Sequence, residues 1–526
     1  MKSLALSLKK HLGLILVLVC LILLRVPNFF EPYWYGDEAI YLTIGNAMNN
    51  GARLYTDIVD HKTPLIYYLA RVPDQISFRW LNLGWMLVTT GLFYYLALQL
   101  FKKPWLATLS SSFFMVLTTV PWLEGNIPNG ELFVLGFVML GLVSFTRTQL
   151  WRDFLATNLK PKNLAKFDQL IWFFVSGITI GLGILTKVPA ILDLGTVLLI
   201  FWFFLVSQIA SRAALNLKSF WTTFKPVLTA GVSFLTGVFT PLVASVGYFV
   251  SQGTGADYLQ FGLLYNLHYT QTWKQDYGSA FLNWAFTLPG KVVLLAVAIL
   301  LISVLIKKLK PSLQFGLGWF AAALFALLLS NRPYPHYFIQ LVPAAALLIG
   351  IWFESLSQIL TEKAWLKTAL GLIIPVLAFW LVIAIMFKLQ AGLYDTKAYY
   401  LKFCKLAAGQ ITRANYNHSF DSLVAENEVV ASDLELIKPH KMFIWGTNPT
   451  LYAQTKIVPA NRFTVAFHIQ DLKVYDQTLI EIKQAEPEVI IIMNNEANSF
   501  PDLSDYVKAN YQLYKNYPRM NLYLKI

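Results

Sequence analysis

Charge is scarce in this chain. Of 526 residues, 13% are Asp, Glu, Lys or Arg and 56% are apolar, a balance that excludes an ordinary soluble domain and reads as a polytopic membrane protein. Cysteine is nearly missing: Cys20 and Cys404 supply neither a disulfide framework nor a Cys-based metal cluster. No small-residue cleavage site follows the first apolar run, 12–26, so that run is read as a retained helix and not as a signal peptide. No internal repeat is evident, which weighs against an inverted-repeat transporter.

What is present is apolar length. Windows of about 18 to 22 residues fall near 12–29, 80–100, 105–121, 131–146, 170–186, 188–207, 227–250, 290–306, 313–330, 337–353 and 367–388, giving about eleven spans. The connections alternate in charge. One set carries Lys9 and Lys10; Lys102 and Lys103; Arg147, Arg152, Lys160, Lys162 and Lys166; Arg212, Lys218 and Lys225; Lys307, Lys308 and Lys310; Lys363 and Lys367. The other carries Asp37, Glu38, Asp57, Asp60, Glu124, Glu131, Asp257 and the tail. The positive-inside rule places the basic set and the N-terminus in the cytoplasm, and the tail outside. The net charge of +13 is then a topology signal and an affinity for anionic membrane lipid, not a nucleic-acid footprint. From about 391 the chain turns polar. Strand-like runs at 442–445, 489–493 and 522–526 and amphipathic patterns at 476–484 and 503–510 predict a small extracytoplasmic α/β domain over 391–526, following a membrane domain over 1–390.

Aromatic-rich outer loops hold the ionisable groups, an arrangement suited to chemistry on a polar group carried by a lipid. The first outer loop, 30–78, contains Trp34-Tyr35-Gly36-Asp37-Glu38-Ala39-Ile40-Tyr41. Apolar spacing up to Asn49-Asn50-Gly51 predicts an amphipathic helix on the membrane plane. Carboxylates at its N-terminal end are held ionised by the helix dipole, as a general base requires; Asp37 as a helix N-cap is the alternative. Farther on, His61-Lys62-Thr63-Pro64 predicts a turn into a short helix begun by Pro64. Lys62 there is either a phosphate-binding point charge or a snorkelling interfacial lysine.

Glu124 and Glu131 flank a short outer loop, and Glu131 would also serve as a cap of the next span. Lys187 interrupts a long apolar tract, which calls for a partner or ligand, with Asp193 a candidate partner; a headgroup-facing hairpin tip is the alternative. Asn331-Arg332-Pro333-Tyr334-Pro335-His336-Tyr337 offers donors for a phosphate or pyrophosphate, or else forms part of an aromatic belt. The stretch 265–277, with His268 and Trp273, is a candidate lid.

These residues resemble those of the GT-C glycosyltransferases that use polyprenyl-phosphate sugars, the protein O-mannosyltransferase and lipid A aminoarabinose transferase group. The resemblance covers about the first 390 residues. Asp37-Glu38 matches the family's acidic pair after span one, and Lys62-Thr63-Pro64 its Lys-Pro element with an inserted Thr. Glu124 or Glu131 matches its second acid, where Asp is more usual. The Gly183-Ile184-Leu185-Thr186-Lys187 run and the Arg332–Tyr337 turn also look like family segments. Phe443-Ile444-Trp445-Gly446 with Leu451-Tyr452 is similar to tails of uncharacterised bacterial members.

The resemblance implies a GT-C-like membrane protein transferring a sugar from a polyprenyl-phosphate donor to a lipid, glycan or protein acceptor on the outer face of the plasma membrane. Such a donor carries no nucleotide, consistent with the absence of a glycine-rich phosphate loop. Asp37, Glu38 and Glu131 would be catalytic, with Asp37 deprotonating an acceptor hydroxyl or amine for an inverting displacement. Lys62, Lys187, Arg332, His336 and Tyr337 would bind the donor phosphate. Tyr41, His61, Glu124 and His268 would contact the acceptor or form the lid. No cofactor is certain, and a divalent metal is left open where Asp37 and Glu131 converge. A secondary transporter or lipid-linked glycan flippase, and a receptor or scaffold whose tail does the work, are the rival readings.

Overall fold

The computed structural model describes residues 2–156, 164–210, 217–269, 273, 275–359, 365–494, 496 and 498–526. Lys160, Lys162, Arg212 and Lys363 of the charge argument lie outside the described residues. The chain forms two compact units. One comprises Met1–Arg25, Asn82–Ser245 and Leu267–Asp395, the other Val26–Leu81, Val246–Asn266 and Thr396–Ile526.

Each apolar window contains a helix, and the protein is a multi-pass membrane protein. Among the described residues, seven helices are long and apolar enough to cross a bilayer alone: His11–Phe30, Gln75–Phe101, Phe167–Thr186, Val188–Ile209, Phe224–Ser251, Pro335–Gln358 and Leu366–Leu389. Gly130–Phe145 and Gln149–Ala156 form a pair bent by 78°, and Pro104–Leu117, Leu288–Val304 and Pro311–Leu327 are shorter. At 1.5 Å per residue a 17-residue helix is about 26 Å long, somewhat under the ~30 Å hydrocarbon layer.

In the first unit the helices Phe167–Thr186 and Leu217–Ser251 approach to backbone contact. A Cβ on Gly177 would lie 2.1 Å from the Phe234 carbonyl, and one on Gly237 2.1 Å from that of Phe174. Small residues permit such packing in lipid, where no hydrophobic force drives helices together. The Lys187-Val188-Pro189 break becomes a tight 3₁₀ turn over Val188–Leu192, because proline cannot continue the hydrogen-bond ladder.

The second unit joins the loop after the first apolar helix to the tail. Among its described residues the tail carries five strands: β1 (Lys441–Trp445), β2 (Val458–Pro459), β3 (Val489–Met493), β4 (Tyr511–Asn516) and β5 (Met520–Lys525), ordered β2-β1-β3-β5-β4. β2 and β3 run parallel to β1, while β5 and β4 complete the sheet antiparallel. Met442, Ile444, Val489, Ile491 and Leu522 form its core with Leu434 and Leu451. The loop is tied to this domain by a bridge between Val59 and Phe463 and by the Asn46 amide donating to the Lys456 carbonyl at 2.9 Å.

The helix Gly36–Asn49 differs from the amphipathic surface helix expected. Ten of its residues are buried, against the helix Pro449–Thr455 among others. Gly45 lets the backbone of Ala70 come so close that a Cβ would lie 2.2 Å from its carbonyl. A face that reads as small and half-polar is therefore packed as well.

Candidate functional site

Tyr35 takes the cap position of the Gly36–Asn49 helix without a side-chain bond, and Asp37 and Glu38 fall in the first turn. One helical step then separates their fates, since successive residues point about 100° apart. Glu38 is buried and held by Arg79 (Nε to Oε1 at 2.9 Å, Nη2 to Oε2 at 2.7 Å) and by the Gln75 amide at 2.9 Å. Glu31 also approaches the Arg79 Nη2, at 3.4 Å.

Asp37 instead meets Lys62. Its side chain stays 26% exposed, 3.5 Å from the Lys62 ammonium, and accepts from the Tyr41 hydroxyl at 3.2 Å. Lys62 is buried 5.1 Å from the Tyr41 ring centroid, and 3.4 Å from Asp60 Oδ2. Pro64 starts the short helix Leu65–Leu69 as expected, and Tyr67 on that helix donates to Asp60 Oδ2 at 2.6 Å. The Lys62 backbone is fixed too, its N–H donating to Tyr67 Oη at 3.1 Å and its carbonyl accepting from Tyr55 at 2.8 Å.

Behind Lys62 lies a second group. Asp60 Oδ1 is 2.9 Å from His61 Nδ1 and 3.2 Å from His468 Nε2, and the two nitrogens are 3.1 Å apart. Burial drives Asp60 upward, but Lys62, His61 and the hydrogen bonds from His468 and His61 outweigh it and hold the carboxyl well below its usual range. Burial pushes the His61 imidazole down to about 4, against the pull of Asp60, so it is neutral at pH 7. A carboxylate and two imidazoles whose ligand atoms lie within 4.8 Å of one another could hold a divalent cation.

The first unit carries a second acid–lysine pair. Glu131, in the first turn of Gly130–Phe145, bonds through Oε1 to the Lys187 ammonium, which also lies 4.9 Å from the Tyr337 ring centroid. Glu131 Oε2 is buried without a hydrogen-bond partner. Lys187 thus pairs with Glu131 and not with Asp193, which accepts from Trp319 and Gln340. Glu124 adopts a left-handed backbone, φ 58°, and bonds His336 Nδ1. Arg25 braces that turn by donating to the carbonyls of Thr118 and Gly125 at 3.0 and 2.8 Å. Arg332 lies with its guanidinium carbon 5.5 Å from the Trp273 ring centroid. His268 falls in the short helix Tyr265–Tyr269, its side chain outside the described residues.

The candidate residues therefore form two sets: Asp37, Tyr41, His61 and Lys62 in one unit, and Glu124, Glu131, Lys187, His336 and Tyr337 in the other, with Arg332 beside Trp273. Asp60, Tyr67 and His468 complete the first set without having been singled out as site residues. The acid run Asp57–Asp60 was a signal for Asp60; nothing in the sequence links His468 to it. A separate cavity of 330 Å³ in the second unit is lined by Phe29, Glu31, Tyr33, Asp74, Arg413 and Glu428, among others.

The fold, a multi-pass helical part followed by a small C-terminal α/β domain, is shared with solved structures. Among solved structures, ArnT from Cupriavidus metallidurans bound to undecaprenyl phosphate is similar at a TM-score of 0.54 and 14% identity, over 98% of each chain. The apo state of the same protein gives 0.52 and 14% over 97% of each. The archaeal oligosaccharyltransferase AglB from Archaeoglobus fulgidus, in complex with an inhibitory peptide and a dolichol-phosphate, gives 0.43 at 13% identity, over 99% of this chain and 75% of that one. No protein-family model matches the sequence, and no curated protein matches it. Identity this low speaks to the fold alone.

Proposed function

We propose that this chain is an integral membrane glycosyltransferase. It moves a sugar from a polyprenyl-phosphate donor to a hydroxyl or amine on the extracytoplasmic face, with inversion. The observation that carries this reading is the Asp37–Lys62 pair, a partly exposed carboxylate beside a buried ammonium, in a fold similar to a protein solved with undecaprenyl phosphate.

The roles follow from chemistry. Asp37 takes the proton of the acceptor as it attacks the anomeric carbon in line with the departing phosphate. The C–O bond to phosphate breaks and the leaving group gains charge; the groups suited to stabilise it are Lys62 in one unit and Lys187, Arg332, His336 and Tyr337 in the other. Glu38, locked to Arg79, orients the helix that presents Asp37, and Glu131 aligns the Lys187 ammonium. A divalent cation on Asp60, His61 and His468 would fix the turn that bears Lys62 and balance the two acids around it. The N-terminus is cytoplasmic and the C-terminal domain is outside in this reading.

Mass spectrometry of extractable lipids and surface glycans, in cells with and without the chain, tests it. A glycan that loses one sugar, together with accumulation of its polyprenyl-phosphate form, is expected. Unchanged glycans and lipids, with solute counterflow in proteoliposomes, would replace the enzyme by a transporter.

A further inference from the structure

The carboxyl of Asp193 is a buried group that the proposed reaction leaves without a task. It lies where the turn Val188–Leu192 passes into the helix Leu194–Ala210, and it is fully buried. Among the described residues no Lys, Arg or His pairs with it. Its partners are neutral: Gln340 Nε2 donates to Oδ2 at 2.6 Å and Trp319 Nε1 to Oδ1 at 3.2 Å. A lone carboxyl among apolar helices is costly, and one that persists there is to be explained by a role.

The second bond made by Gln340 shows what that role is. The same Nε2 donates to the Pro189 carbonyl at 3.1 Å. Pro189 follows Lys187 by two residues, and Gln340 follows Tyr337 by three within the 3₁₀ turn Pro335–Leu341. Residues three apart in such a turn stack on one face. One side-chain amide therefore ties the turn bearing Lys187 to the turn bearing Tyr337, and the Lys187 ammonium meets the Tyr337 ring at 4.9 Å. The amide must point its nitrogen at both acceptors, because its oxygen would face a carbonyl and a carboxylate. Asp193 fixes that polarity, and Trp319 fixes the plane of the carboxyl. An apolar residue at 193 would leave two buried N–H groups unpaired.

We propose that Asp193, acting through Gln340, is a positioning residue that sets the spacing of Lys187 and Tyr337 for an anionic group. That the anion is the phosphate of a polyprenyl donor rests on the function proposed above; the positioning itself does not.

The test uses the full chain in lipid nanodiscs, with Asp193→Asn, Gln340→Met and, as a control, Gln314→Leu. Gln314 is also a buried amide spanning two carbonyls, those of Ile306 and Leu309. Acylation of Lys187 by a water-soluble amine-reactive ester, followed by peptide mass spectrometry, is expected to quicken ~10-fold in the first two variants and by less than about twofold in the control. Undecaprenyl phosphate affinity should fall by a similar factor in Asp193→Asn, and by nothing further when Lys187→Ala is already present.

Unchanged labelling in folded Asp193→Asn and Gln340→Met, or equal quickening in the control, overturns the proposal. Independent, multiplying effects of Asp193→Asn and Lys187→Ala on affinity overturn it as well. Quickened labelling in a protein whose unaltered form binds no undecaprenyl phosphate upholds the positioning and removes the lipid-phosphate reading instead.

Discussion

Two lysines, each beside an acid and near a tyrosine ring, are held in different ways. Lys62 sits 3.5 Å from Asp37 and 3.4 Å from Asp60, with the Tyr41 ring centroid at 5.1 Å. Lys187 is bonded directly to Glu131, with the Tyr337 ring centroid at 4.9 Å. Charge-assisted hydrogen bonds close to about 2.7–2.9 Å, so Lys62 is shared between two acids at arm's length while Lys187 is engaged by one. The loose arrangement leaves Asp37 able to exchange its cation for a substrate proton. The tight one fixes a charge and leaves Glu131 Oε2 as the open oxygen.

The sharpest way to break this comparison is to remove one acid from each pair. Glu131→Gln leaves the largely enclosed Lys187 without its counter-charge and should cost about 3–5 kcal/mol of stability, read by denaturant or thermal unfolding. Asp37→Asn should cost less than about 1 kcal/mol, because Asp37 is partly exposed and Lys62 keeps Asp60. Equal losses would show that the two pairs are held alike. Lys62→Met should next weaken undecaprenyl phosphate binding ~10- to 100-fold, the worth of one charge-assisted contact, as measured in nanodiscs.

The group behind Lys62 has no counterpart behind Lys187 among the described residues, and two smaller effects sharpen that difference. Elemental analysis should find a divalent metal in the purified protein, and His468→Ala should lose it while Glu131→Gln keeps it. In metal-stripped protein, His61 makes stability depend on pH. Unfolded, the imidazole takes a proton as pH falls through 6.5; folded, it stays neutral until about 4. The unfolded state therefore binds more protons across that window, and stability is full above pH 6.5 and declines as pH falls toward 4. Melting temperature against pH, with His61→Asn flattening the slope, checks this.

The membrane part of the fold was readable because a bilayer demands long apolar runs, and every window found its helix. The shortness of some helices was not, since apolar residues continue past their ends: Pro104–Leu117 stops while Val120-Pro121-Trp122-Leu123 runs on in another conformation. In the tail, β1, β3 and β5 were visible as apolar runs. β4 was not, since all its residues after Tyr511 are exposed and it forms the sheet edge; β2 is two residues long.

The candidate site was readable where sequence neighbours stay neighbours, as Asp37 and Lys62 do within one loop. It was not where the chain returns from afar: His468 meets His61 across 407 positions. Adjacency also misleads, for Glu38 turns away from Asp37 toward Arg79, and Asp193, six residues from Lys187, faces Trp319 and Gln340 instead.

The most direct test of the central claim is the turnover of the Asp37→Ala protein beside the unaltered one, reconstituted with a polyprenyl-phosphate sugar and a membrane extract as acceptor source. Transfer should fall ~10²- to 10⁴-fold, the share of a general base, while expression, insertion and melting temperature hold. Near-normal transfer by a folded Asp37→Ala protein would contradict the account.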